Sequence, residues 1–326
     1  MSLNADLIDD GAPAPLLRLF GWGTLGVLFA FLIENTLVVG AGATGARAVL
    51  TGGGGWLCAA IYVACVALAF GYVLFGPQRS LRRDATRISD FNKYVIRSLF
   101  WAVLLVGIAD AGIAFMRAEN LLIHFFDEDT TRALGLSNFI APRVHVPLIA
   151  LGFVIGLFTR TLGFTWLALM IVVAELLIVL SRFVFSYEQA FMSDLVRYWY
   201  AALFLFASAY TLLDEGHVRV DVLYAGFSSR RKGAANAVGA ILLGMTTAWV
   251  VITIGLAGKT SIINNPIANF EVSQAGATGM YVKYQMAAFL AVFAVTMLIQ
   301  FVSQLFDAVA DIRDEPGRRE IAPVAH

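Results

Sequence analysis

Long apolar runs separated by short polar segments set the pattern of this chain. A helix needs about 20 apolar residues to cross a hydrocarbon core, because every backbone N–H and C=O must be paired within the segment there. Seven runs approach that length, at residues 16–39, 56–76, 98–116, 162–185, 195–213, 234–257 and 285–306. An eighth, at 144–158, is shorter and carries Pro147 near its start, so its length leaves open both a full crossing and a re-entrant segment. Residues 52–55 are all glycine and read as a loop; no internal repeat is visible.

Basic residues set the orientation. Segment 77–97 holds Arg79, Arg82, Arg83, Arg87, Lys93 and Arg97, the segment after Leu213 holds Arg219, Arg230, Arg231 and Lys232, and the C-terminal tail holds Arg313, Arg318 and Arg319. Short loops rich in Lys and Arg stay on the cytoplasmic side, so all three are expected there. Residues 117–142 carry Glu119, Asp127, Glu128 and Asp129 against Arg117 and Arg132, as an external segment would. These assignments agree if the short run crosses and Arg160 returns inside; seven crossings leave them in conflict. The expectation is therefore an all-α, polytopic membrane helical bundle of about eight transmembrane helices, with both termini cytoplasmic. The acidic start, with Asp6, Asp9, Asp10, Pro13 and Pro15, lacks the basic opening of a signal peptide and reads as a short cytoplasmic tail.

Composition removes other classes. With 59% hydrophobic residues, 14% charged and a mean hydropathy of +0.77, the chain does not read as soluble. Its 23 Lys and Arg balance 23 Asp and Glu, which excludes nucleic acid as the main partner. Cys58 and Cys65 lie on one helix face, too far apart along it to bridge. His124 falls in a loop, His145 at the edge of a span, His217 in a basic loop and His326 at the end, so axial imidazoles for a haem are not expected. No phosphate-cradling glycine loop and no nucleophile-base or metal-ligand constellation emerges; catalytic, cofactor and metal sites are all expected to be none, and the chain is read as not an enzyme.

Ionisable groups within spans are costly and are the default candidates for function. These are Glu34, Asp110 and Glu175, the last near the centre of its run. One reading is a proton or cation relay. The other, favoured by the lack of a second acid one turn away and of a deep Lys or Arg, is a protonated carboxyl that bonds a neighbouring helix for packing specificity. Gly152 and Gly156 form a Gly-x-x-x-Gly pair that would admit close helix contact. After Leu213, Val220, Leu223, Tyr224 and Phe227 fall at i, i+3, i+4 and i+7, with His217, Asp221, Ser228 and Lys232 on a polar flank. That pattern predicts an amphipathic helix lying in the interface, its basic end among headgroups.

The same region carries a family resemblance. Leu180-Ser-Arg182-Phe183-Val-Phe185-Ser186 is similar to an Arg-Tyr-Val-Phe-Asn stretch, from which it departs at Phe183 and Ser186. Asp194 follows before Arg197 and Tyr198, and Gly216-His217-Val218-Arg219-Val220-Asp221 matches a Gly-His-Val/Ile-Arg-Val-Asp signature at every position. Glu271, Ser273, Lys283 and Gln300 resemble a C-terminal pattern of longer members. On these residues the chain resembles the small membrane subunit, DctQ-type, of tripartite ATP-independent periplasmic (TRAP) transporters. The resemblance covers about residues 160–310 and divides the chain into an N-terminal extension of about three transmembrane helices (1–145), the short run (146–160), a four-helix unit (161–310) and a tail (311–326).

The resemblance implies a bacterial inner-membrane complex. A periplasmic binding protein would deliver an organic-acid-type substrate to a small and a large membrane subunit, with uptake driven by Na⁺. Substrate and Na⁺ sites, and the portion that moves like an elevator, would belong to the large subunit. Arg182, Asp194, Gly216, His217, Arg219 and Asp221 would then be interface and membrane-positioning residues of a scaffold, with Glu188 and Asp194 as local partners of Arg182 and Arg197. The contrasting hypothesis is an autonomous secondary transporter that couples protons through its intramembrane acids.

The charge pattern generates a topology test. Reporters fused after Arg83 and Lys232 are expected to report cytoplasm, and those after Asp129 and Ala268 the periplasm. A cytoplasmic Asp129 together with a periplasmic Arg83 would refute the eight-span arrangement.

Overall fold

A computed structural model describes residues 12–161, 164–213, 224, 226–273 and 278–317. It is all-α, with no strand among the described residues. The eight long helices among the described residues are α1 (Pro15–Gly40), α2 (Trp56–Leu74), α3 (Leu81–Ala118), α4 (Ser137–Phe158), α5 (Phe164–Phe185), α6 (Ala190–Leu213), α7 (Ser229–Gly255) and α8 (Lys283–Ile312). All but α6 contain a stretch long and apolar enough to span a membrane. The short run is thus the C-terminal part of a 22-residue helix, long enough to cross.

The run at 195–213, expected to cross, lies in the 24-residue α6, but its composition falls short of the other seven helices. Its first half interleaves Asp194, Arg197, Tyr198, Trp199 and Tyr200, and its second half adds Ser208, Tyr210 and Thr211. A second expectation is corrected at α3. Segment 77–97 is not a loop but is helical from Leu81, and 38 residues at 1.5 Å each make a rod of roughly 57 Å, well beyond a hydrocarbon core of about 30 Å. The expected interfacial helix lies largely outside the described residues. Residues 214–223, which include Gly216, His217, Arg219, Val220, Asp221 and Leu223, lie outside the described residues. Tyr224 and Phe227 belong to a turn closed by the Phe227 N–H donating to the Tyr224 carbonyl at 3.0 Å, and Arg230, Arg231 and Lys232 open α7 itself.

The chain forms two compact units. The first comprises residues up to 91, 212–250 and from 297. In it, contacts pair Glu34 with Tyr62, Gly26 with Cys65, Trp22 with Tyr72 and Arg18 with Gly76; one number falls as the other rises, so α1 and α2 are antiparallel. The turn between them needs glycine at Gly55, which has φ +81° and would drive a Cβ into the Gly45 carbonyl. Within the same unit α3 meets α8 through polar contacts, Ser89 with Ser303 at 2.7 Å and Arg82 with Asp311 at 2.8 Å.

The second unit comprises residues 92–211 and 251–296. Its core includes Phe100, Phe206 and Phe289, whose rings meet edge to face. Here α4 lies against α3 through the Gly152 and Gly156 pair. A Cβ on Gly152 would come within 2.5 Å of the Ala102 backbone nitrogen, and one on Gly156 would collide with the Ser98 hydroxyl. The closeness admits side-chain bonds to α4 carbonyls: Arg97 Nε donates to Gly156 at 2.9 Å and the Tyr94 hydroxyl to Phe153 at 3.2 Å. Small residues at membrane helix contacts act this way, by letting backbones approach.

Gly152→Leu is expected to lower the thermal stability of the purified protein in detergent by an amount on the order of 1–3 kcal/mol, the usual cost of overpacking. Gly112→Ala, where a Cβ meets nothing within 4 Å, is expected to be neutral or mildly stabilising through helix propensity. Equal melting temperatures for the two variants would contradict the close packing.

A buried carboxylate network as the candidate functional site

The second unit gathers polar side chains from four helices around one carboxylate. Asp110 is fully buried on α3. His145 reaches it from α4, where Ala141–His145 form a π-helical turn containing Pro142. Such single-turn expansions insert a residue into an otherwise α-helical frame and frequently accompany functional positions. Nε2 of His145 lies 3.2 Å from Asp110 Oδ1, and its Nδ1 lies 2.9 Å from the Tyr284 hydroxyl at the start of α8. The two rings stack with centroids 5.9 Å apart.

The remaining bonds fit one consistent assignment of donors and acceptors. Gln285 Nε2 donates to the Tyr284 hydroxyl at 3.0 Å, so that hydroxyl's single proton is free to point to His145 Nδ1. A neutral imidazole then carries its hydrogen on Nε2, aimed at Asp110. Tyr198, fully buried on α6, donates to Gln285 Oε1. The result is a chain of donors, from Tyr198 through Gln285, Tyr284 and His145, that terminates on a group with acceptors only. Low surrounding dielectric and mutual polarisation strengthen such chains when every member is satisfied.

The other oxygen of Asp110 accepts the backbone N–H of Tyr281 at 2.7 Å. The adjacent N–H, of Met280, donates to Asp194 Oδ2 on α6 at 3.1 Å, and the Ser273 hydroxyl donates to the same oxygen at 3.2 Å. Two consecutive amides thus tie two carboxylates on two helices. Arg117 reinforces the region: it donates to the carbonyls of Gly279 at 2.6 Å and Leu134 at 3.2 Å, and stacks 3.9 Å above the Tyr281 ring. Lys283 pairs with Glu271 across the same segment.

These contacts revise the expectations for the acids. Asp110 does have a basic partner, His145, which falls 35 positions away and so cannot be found by searching one helix face. Glu34 is satisfied, its oxygens accepting the Ala46 N–H at 2.6 Å and the Tyr62 hydroxyl at 2.7 Å. Glu175, by contrast, is exposed at the middle of α5 and has no polar partner among the described residues, so no bond to a neighbouring helix joins it there. Arg182 and Glu188 pair as expected, at 3.3 Å on the surface, where such bridges contribute little. Asp194 binds Ser273 and Met280 rather than Arg197.

Sequence reasoning missed a buried ion pair in the first unit. Arg18 Nε lies 2.7 Å from Asp84 Oδ2, both side chains fully buried, and the Trp22 indole donates to the same oxygen at 2.9 Å. Arg18 falls inside the first apolar run, which was itself the available signal.

Two groups between spans have shifted acidities. Partial burial, and then the Glu119 carboxylate that accepts its proton at 2.6 Å, push the Tyr187 hydroxyl up to about 12. Asp127 is held below its ordinary value by the Thr130 hydroxyl and amide, which it accepts as the N-cap of the short helix Glu128–Ala133.

No group of three His, Cys, Asp or Glu is placed to hold a metal among the described residues. What the arrangement does chemically is bind helix to helix; its donors are committed to one another. The molecule is a multi-pass helical membrane protein. Residues 169–311 match the family model described as tripartite ATP-independent periplasmic transporters, DctQ component. Over that stretch, which falls within α5 to α8, the chain is similar to the DctQ component of these transporters, a transporter subunit rather than an enzyme; α1 to α4 precede it as additional N-terminal helices. No curated protein and no solved structure matches the chain.

Asp110→Ala leaves a buried imidazole and an amide without their acceptor, and is expected to destabilise the protein by roughly 3–5 kcal/mol. Asp110→Asn keeps an acceptor for Tyr281 and should cost less. Thermal melting in detergent measures both, and an unchanged Asp110→Ala would show that the network contributes nothing.

Proposed function

We propose that the chain is the scaffold subunit of a TRAP transporter of the bacterial inner membrane. In this reading it works with a large membrane subunit and a periplasmic substrate-binding protein to import an organic-acid-type substrate, driven by Na⁺. The carrying observation is the DctQ match over residues 169–311. The helices support the scaffold role: transporters coordinate substrate and ions at unwound segments near the midplane, whereas the irregularities within the long helices among the described residues, Ala141–His145 and Ala240–Met245, are π turns inside continuous helices. The committed donors of the Asp110 network likewise favour rigidity over ion passage.

The orientation follows from charge. Arg230, Arg231 and Lys232 crowd the N-terminus of α7, where a helix dipole disfavours cations. Anionic headgroups on the cytoplasmic face would supply the compensation, which supports an orientation with both termini inside.

Reconstituted alone in proteoliposomes, the chain is expected to transport nothing. Uptake should appear with the large membrane subunit and, for the delivered substrate, the binding protein. Ion-driven carboxylate uptake by the chain alone, abolished by Glu175→Gln, would replace the scaffold with an autonomous transporter.

A further inference from the structure

α5 buries one stripe, Leu167, Ile171 and Ala174, and leaves the rest of its surface uncovered. Val172, Leu176, Val179 and Phe183 are 64%, 56%, 47% and 79% exposed. Apolar exposure by itself has a simple explanation in a membrane protein, since lipid covers it. α2 is an example: Leu57, Val63 and Leu68 are exposed and its outer surface carries no charge, so hydrocarbon is a sufficient neighbour. The outer surface of α5 is different because Glu175 lies in it. The residue is 11 positions from Phe164 and 10 from Phe185, which puts it about 15 Å from either end of the helix, at the middle of a core about 30 Å thick. At that depth snorkelling to an interface is out of reach for a side chain of two methylenes.

Glu175 therefore needs a donor, and among the described residues of this chain it has none. Lipid tails offer none. A second copy packed on the same face would bring another carboxyl to the same depth, and that pair holds only while at least one of the two keeps its proton, whereas an amide or basic group satisfies an ionised Glu175 directly.

We infer that the Val172–Glu175–Val179 face of α5 is the surface against which a helix of the large membrane subunit packs, and that this helix presents a basic or amide side chain to Glu175 at mid-membrane. The inference rests on the transporter assignment above and adds the site of contact to it. Val172 and Val179, at i−3 and i+4, form the apolar rim that keeps the pair dry. Interhelical bonds of this kind fix partner and register in membranes.

The test co-expresses the full chain with its large membrane subunit. A photo-reactive phenylalanine analogue replaces Val172 or Val179 in turn, and Glu175→Leu is prepared separately. Adducts to the large subunit are expected from both positions. Glu175→Leu is expected to remain as thermally stable as the parent chain when purified alone, yet to retain about tenfold less large subunit, a 1.4 kcal/mol loss. Adducts only between copies of the chain, no adducts, or full retention of the large subunit by Glu175→Leu overturns the inference. If the unaltered chain fails to retain the large subunit, the scaffold reading itself falls; if it does retain it, only the α5 contact is in question.

Discussion

A carboxylate removed from water must be met by donors, and at Asp110 that requirement organises much of the second unit. Its own helix supplies none of them. One oxygen is met by an imidazole from α4 and the other by a backbone amide ahead of α8, so the helices must come together for the group to be satisfied. The imidazole in turn requires Tyr284, which requires Gln285, which accepts from Tyr198 on α6. Apolar packing in a bilayer distinguishes poorly between alternative helix arrangements, because lipid is as apolar as a leucine. A directional chain of hydrogen bonds does distinguish, since only one arrangement satisfies it.

The apolar pattern made the helices legible. Spans follow from the need to pair the backbone, and that need depends on local sequence only, so α1 to α8 were all readable as runs, α4 as a short one. What was not legible shares one physical origin: it depends on residues distant in sequence. The polar side chains in the first half of α6 include Tyr198 and Trp199, which turn inward to polar partners that no local pattern names. His145 read as a residue at the edge of a span because its partners, Asp110 and Tyr284, lie 35 and 139 positions away. Arg18 was hidden in the same way, with Asp84 across 66 positions. The Gly152 and Gly156 pair, weak as a motif, became informative once α3 supplied the backbone it approaches.

The polar contacts of the first unit follow the same logic with different chemistry. Asp84 accepts from the Arg18 guanidinium and the Trp22 indole, while Arg82 reaches Asp311 and the carbonyls of Glu315 and Pro316. Breaking a buried pair by removing one partner is far more damaging than replacing both with apolar groups, because the survivor keeps its desolvation cost. The pairs therefore specify arrangement more than they add stability. That property would suit the scaffold role proposed above.

The consecutive amides of Met280 and Tyr281 also have a consequence for biosynthesis. They belong to the segment just before the last long helix, so α3 and α6 are made and inserted while Asp110 and Asp194 still await these donors. A nascent chain remains polar at both positions until translation has passed residue 281. Premature termination just ahead of that point leaves Asp110 with only its imidazole partner and Asp194 with only the Ser273 hydroxyl, so an incomplete subunit stays more polar at both depths than the finished one.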